Sequence, residues 1–104
     1  MDARLQKRVQ RYGWDRAAPH YERYWQEQLE PAQTALLEMA RLIGRERVVD
    51  IACGTGLVTF RAASEVGPHG TVAGVDISEE MITAASAMAQ ARGASNITFS
   101  RMDA

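Results

Sequence analysis

From Arg47 onward, short runs of β-branched and apolar residues alternate with helix-length stretches, and turn residues separate them. No other feature restricts the fold as strongly. Arg47-Val48-Val49-Asp50-Ile51-Ala52 is a short apolar run of the kind that forms a buried strand. Cys53-Gly54-Thr55-Gly56 reads as a turn, and Leu57 to Val66 as a helix closed by Gly67-Pro68. Thr71 to Val75 predicts a second strand ending at Asp76. Ser78 is a good N-cap, and Glu79 and Glu80 in the first turn suit the helix dipole. Met81, Ile82, Ala85, Met88 and Ala89 form the inward stripe of that helix, which Gly93 stops. Ile97 to Met102 predicts a third strand, before Asp103-Ala104. Strand, helix, strand, helix, strand at this spacing implies right-handed crossovers and a parallel sheet, hence an α/β fold.

The residues before Arg47 read as helical. Residues 1–11 carry four basic side chains and a narrow Leu5/Val9 stripe, and Gly13 is expected to break that element. A second helix is expected from about Pro19 to Leu29. Pro31 then reads as the first-turn proline of a third. Its apolar face would be Ala32, Ala35, Leu36, Met39, Ala40 and Ile43, with Gly44 as C-cap. Tyr12, Trp14, Tyr21, Tyr24 and Trp25 crowd into this region. The chain therefore divides into a helical segment, residues 1–44, and an α/β unit, residues 45–104.

Composition narrows the functional class. The 104 residues suffice for one small domain, and 46% hydrophobic with 24% charged residues is a globular balance. A net charge of -1 argues against a nucleic-acid platform. Residues 1–47 carry nine basic and seven acidic side chains, and residues 48–104 three and six, so the α/β unit is the acidic part. No apolar run reaches the about 18 residues of a membrane span, and the N-terminus lacks a secretory signal. Those features and the single cysteine fit a cytoplasmic protein. His20 and His69 match no metal-ligand spacing, so no metal is expected.

The most informative stretch is the turn after the first strand. Gly54 and Gly56 lack a Cβ, which lets a ligand approach the backbone, and the next helix points its amides at that ligand. Asp76, twenty residues after Gly56, ends the second strand, where a carboxylate can accept both hydroxyls of a ribose. Together these point to a nucleoside-containing ligand. A phosphate-binding loop of nucleotide hydrolases would need a lysine after the glycines, and there is none. A dinucleotide fingerprint would need a small residue at Thr59. Asp50, at the end of the first strand, would repel a pyrophosphate. It would suit the ammonium and sulfonium groups of S-adenosylmethionine.

VVDIACGTG (48–56) resembles the first motif of class I S-adenosylmethionine-dependent methyltransferases. VAGVDISEEMITAA (72–85) resembles their second-strand motif, and Ser100 to Ala104 the end of their third strand. YGWDRAAPHYERYW (12–25) is similar to the lead-in of small-molecule members, including the ubiquinone and menaquinone type. The resemblance implies a Rossmann-like three-layer α/β/α methyltransferase fold, incomplete here, with three parallel strands after N-terminal helices. It implies that Asp50 orients the methionine end of S-adenosylmethionine and that Gly54, Thr55 and Gly56 line its methionine and ribose. Asp76 would bind the ribose, Ile77 and Met81 would pack near the adenine, and Asp103, followed by Ala104, would hold the adenine amine. Tyr21 matches a tyrosine that closes over the cofactor. Ala52 stands where many members have glycine.

The implied reaction is methyl transfer to a small molecule, with no general base identifiable in this chain. Family members have about seven strands, so the chain reads as an N-terminal portion that holds the donor without turnover. Its first strand would be an open edge, which favours self-association. The alternatives are a nicotinamide-dependent oxidoreductase fragment and a non-catalytic nucleoside-binding module.

Overall fold

The structure, a computed structural model, describes residues 21–103, and for residues 21–25 the backbone course alone. The expectations for residues 1–20 lie outside the described residues, as do the side chain of Tyr21 and all of Ala104. The elements are α1 (Tyr21–Ala40), β1 (Arg47–Ile51), α2 (Leu57–Val66), β2 (Thr71–Asp76), α3 (Glu79–Arg92) and β3 (Ile97–Arg101). The three strands form one parallel sheet in the order β1-β2-β3. Val48 pairs with Val72, and Val72 in turn with Ile97.

Both crossovers step in the same direction across the sheet. Right-handed connections then place α2 and α3 on the same face. The core lies between that face and the helices: Leu37 of α1, Ala62, Ala63 and Val66 of α2, and Val72 of β2 are buried together, with Val48 and Ile97 packed against them. Met81, Ala85 and Ala89 form the buried stripe of α3. Ser78 caps that helix by accepting from the Met81 amide at 3.2 Å, and Gly93 ends it in a left-handed conformation. Asn96 closes the C-terminus of α2 from a distance. Its side-chain amide donates to the carbonyls of Ala63 and Gly67 at 3.3 and 3.0 Å. Of the three layers expected, the described residues supply the sheet and one layer of helices.

Four local expectations need correction. Pro31 does not begin a helix; it lies inside α1, which runs unbroken for 20 residues. Pro31 is exposed, so the Glu27 carbonyl that loses its amide partner can turn to water. The apolar face of α1 is rotated from the expected one. Leu37 is the buried position, whereas Leu36, Met39 and Ile43 are exposed. A polar contact accompanies that rotation: Arg61 of α2 donates from Nη2 to Thr34 Oγ1 at 2.8 Å. The helix also stops before Gly44, because Arg41 takes the left-handed conformation (φ 51°) and its amide returns to the Leu37 carbonyl.

The fourth correction concerns β1. Its apolar run predicts a strand buried on both faces, yet Val49 and Ile51 are 63% and 64% exposed. Alternation explains this. Val48 faces the helices, so Val49 and Ile51 face the other way, where no described element covers the sheet.

Candidate cofactor site

The site forms where β1 and β2 end and the chain turns back over the sheet, the usual position of a ligand crevice in this architecture. The loop from Ala52 to Gly56 takes its shape from three left-handed residues: Ala52 (φ 58°), Gly54 (φ 58°) and Gly56 (φ 93°). The Cys53 amide donates to the Val75 carbonyl at 3.0 Å, which fastens the loop to the neighbouring strand. Gly56 N–H donates to the Cys53 carbonyl at 3.0 Å and closes the turn. Gly56 then serves as N-cap residue of α2. A Cβ on Gly56 would meet Phe60 Cε2 and Phe99 Cζ, each at 3.0 Å, in addition to the strain of its backbone angle. The two rings pack tilted at 5.8 Å between centroids, beneath the loop.

Two carboxylates sit at the ends of adjacent strands, and they differ in their partners. Asp76 accepts twice from backbone: from Gly54 N–H at 2.8 Å through Oδ2, and from Ser78 N–H at 2.9 Å through Oδ1. Asp50 accepts from the Thr59 hydroxyl at 2.6 Å through Oδ2. Burial raises the Asp50 carboxyl above its ordinary value, the Thr59 hydrogen bond opposes that rise, and the Asp76 charge adds to it. The same surroundings act on the thiol between them. Burial, then the charges of Asp50 and Asp76, push Cys53 up to about 12. A thiol so disfavoured as thiolate is structural, not nucleophilic.

The structure brings most of the expected residues together. Asp50, Gly54, Thr55, Gly56 and Asp76 lie on the two strand ends and the loop between them, with half-buried Ile77 next in the chain. The Met102 amide donates to the Asp76 carbonyl at 2.8 Å, which brings the exposed Asp103 alongside. Met81 does not line the crevice. It is 1% exposed, because the first turn of α3 directs it into the core, and so it offers no surface to an adenine. Ala52 occupies a left-handed position, which is the physical reason a glycine would fit there.

Two polar features were not legible beforehand. Thr59 is wholly buried, and its bond to Asp50 occupies the position that a dinucleotide fingerprint reserves for a small residue. The mismatch itself was the available signal. The Thr55 hydroxyl is buried and has no hydrogen-bond partner among the described residues. A buried hydroxyl left so is costly unless a ligand or water completes it. A groove of about 320 Å³ between α1 and α2 is bounded by Gln26, Gln33, Phe60, Arg61 and Arg92, on the helical side. Arg92 lies 4.4 Å over the Phe60 ring, and Arg61 holds Thr34 through Nη2 while its buried Nη1 has no hydrogen-bond partner among the described residues.

A parallel sheet with a glycine loop between two strand-end carboxylates defines a Rossmann-like α/β unit. Residues 44–104 match the methyltransferase domain family, so the chain belongs to that family. It is 37% identical over 103 residues to the aklanonic acid methyltransferase DauC of Streptomyces sp. (strain C5), a match that covers 99% of this chain and 46% of that one. It is 38% identical to the nocamycin O-methyltransferase of Saccharothrix syringae, over 82% of this chain and 30% of the relative. The chain thus spans less than half the length of either. The fold matches a SAM-dependent methyltransferase structure from Aquifex aeolicus with a TM-score of 0.63 and 24% identity, over 68% of this chain and 38% of that one.

Proposed function

We propose that this chain is the cofactor-binding part of an S-adenosylmethionine-dependent methyltransferase acting on a small molecule. One observation carries the choice of cofactor. The Gly54 amide, which a dinucleotide site would turn toward a pyrophosphate, is taken by Asp76, and a second carboxylate, Asp50, stands at the adjacent strand end. Asp76 alone would also suit the ribose of a dinucleotide, but the Asp50 charge beside the loop repels phosphate and attracts cations. That disfavours a nicotinamide cofactor.

The residues fit the proposed cofactor in several respects. The orphaned Thr55 hydroxyl supplies an unused donor and acceptor in the loop, and the absence of a Cβ at Gly56 lets Phe60 and Phe99 pack directly beneath it. Asp50 would hold the ammonium of the methionine end. Asp76 keeps a lone pair on each oxygen beyond its two backbone bonds, enough for the ribose hydroxyls. Ile77 and Asp103 would flank and hold the adenine, with Ala104 next to it, and Tyr21 would close over the site. When bound, S-adenosylmethionine supplies an electrophilic methyl on a sulfonium for in-line displacement. The chain's contribution is to fix that methyl in one direction and exclude water.

The small-molecule acceptor is inferred from the relatives, which are named for aklanonic acid and nocamycin. No helix among the described residues is long and apolar enough to cross a membrane, and the single reduced cysteine fits a cytoplasmic setting. The outer edge of β1 and the exposed Val49 and Ile51 beside it form a pairing surface, so we also propose self-association through that edge.

Calorimetric titration with S-adenosylmethionine, S-adenosylhomocysteine and NAD tests the reading. Binding of the first two in preference to NAD is expected, and tighter binding of NAD would overturn it.

A further inference from the structure

We infer that Thr59 is a positioning residue for the cofactor: its hydroxyl holds the Asp50 carboxylate in the one orientation that presents the free oxygen, Oδ1, to the ligand's ammonium. The inference deepens the cofactor reading above and rests on it.

A threonine inside a helix ordinarily returns its hydroxyl to a carbonyl one turn back in the same helix. Thr59 sits in the first turn of α2 and instead reaches across to β1, where Oγ1 donates to Asp50 Oδ2 at 2.6 Å. The bond is short, and it is of the stronger, charge-assisted kind when Asp50 is ionised. Thr59 is 0% exposed, so water cannot substitute for either partner at that end. The branched side chain is stiff about χ1, and the surrounding core holds it further.

The consequence falls on Asp50. A carboxylate at the end of an edge strand can rotate about its last bond, and the two oxygens are then equivalent on average. Anchoring Oδ2 removes that freedom. Among the described residues Oδ1 has no partner, so it is the oxygen left for a cation. Gly56, the N-cap residue of α2, has no side chain with which to bond Thr59 or Asp50. The residue that breaks the dinucleotide pattern is therefore the one that adapts the loop to a cationic ligand.

Thr59→Val keeps the shape and removes the donor. Thr59→Ser keeps the donor and removes a methyl. Affinities are measured by calorimetry for S-adenosylhomocysteine, which carries the ammonium, and for 5′-methylthioadenosine, which has the nucleoside but lacks the ammonium. Thr59→Val is expected to weaken S-adenosylhomocysteine about tenfold and to leave 5′-methylthioadenosine within about twofold of the parent. Thr59→Ser is expected to restore most of the loss. In an Asp50→Asn background, where the cation has lost its charged partner, Thr59→Val is expected to add little. If the parent binds both nucleosides and Thr59→Val weakens both equally, or neither, the positioning role is overturned and the cofactor reading stands. A parent that binds neither nucleoside overturns the cofactor reading, and the positioning role with it.

Discussion

Asp76 Oδ2 accepts the Gly54 amide at 2.8 Å across 22 residues of chain, so the acid of the second strand shapes the glycine loop of the first. With its other oxygen on the Ser78 amide, this one carboxylate joins the loop, the end of β2 and the start of α3. A residue expected to touch only the ligand thus also builds the surface that receives it.

Asp76→Ala is therefore expected to lose affinity and stability together. Cofactor binding should weaken by about 1.5–3 kcal/mol, and the chain should lose about 1–3 kcal/mol as two backbone amides are left without a partner. Asp76→Asn keeps one acceptor oxygen and should cost less on both counts. Calorimetry and denaturant unfolding check the pair. An Asp76→Ala chain that binds like the parent would remove Asp76 from the site.

Ala52→Gly is expected to stabilise. Ala52 holds a left-handed backbone (φ 58°) and its side chain is exposed, so little packing is lost on removing the methyl. Relief of the strain, about 1 kcal/mol, outweighs the extra freedom that glycine gains when unfolded. A higher thermal midpoint is the readout, and a lower one would show that the loop does not strain Ala52.

The raised Asp50 carboxyl makes stability depend on pH in a defined direction. Its ordinary value is 3.8, and in the folded chain it lies higher, chiefly through burial. Between those two values the folded state keeps a proton that the unfolded state has released. Stability is thus lost as pH rises through that window, and the deficit persists at neutral pH. Asp50→Asn should remove this slope and raise the neutral-pH stability, because its amide oxygen can still accept from Thr59. Affinity for a cationic cofactor should run the opposite way, falling as pH drops through the raised value. Urea midpoints from acid to neutral pH separate the two variants.

Cys53 should resist alkylation. It is 7% exposed, and a thiol pushed up to about 12 leaves almost no thiolate near neutral pH. Iodoacetamide is expected to modify the folded chain at least about tenfold more slowly than the urea-unfolded chain. Above the ordinary thiol value of 9.0 the unfolded thiol ionises first, so stability should decline there as pH rises. Rapid modification under native conditions would contradict the burial that produces the shift.

Ile51→Lys tests the open edge. A lysine on an edge strand opposes pairing with another chain. The parent should show concentration-dependent association in sedimentation, and the variant should be dispersed. A parent that stays monomeric over the whole range would refute association through β1.

The alternation of elements was legible from Arg47 onward because each one carries its own local reason: β-branched runs, a Ser78 cap, and glycines at 56, 67 and 93 where the chain must turn. The two strand-end acids were legible for a similar reason, since position at a strand terminus is set by spacing along the chain. Local order could not show which atoms those acids meet. Gly54 and Asp76 are brought together by the parallel pairing of β1 with β2, and Thr59 reaches Asp50 only once α2 folds back over the sheet. The same limit explains the misplaced faces. Leu36 and Leu37 are equally apolar, and Val48, Val49 and Ile51 of β1 put apolar side chains on both faces, so periodicity ranks neither choice. Which side is buried depends on where another element lies, and that is a property of packing across the whole chain, not of any window within it.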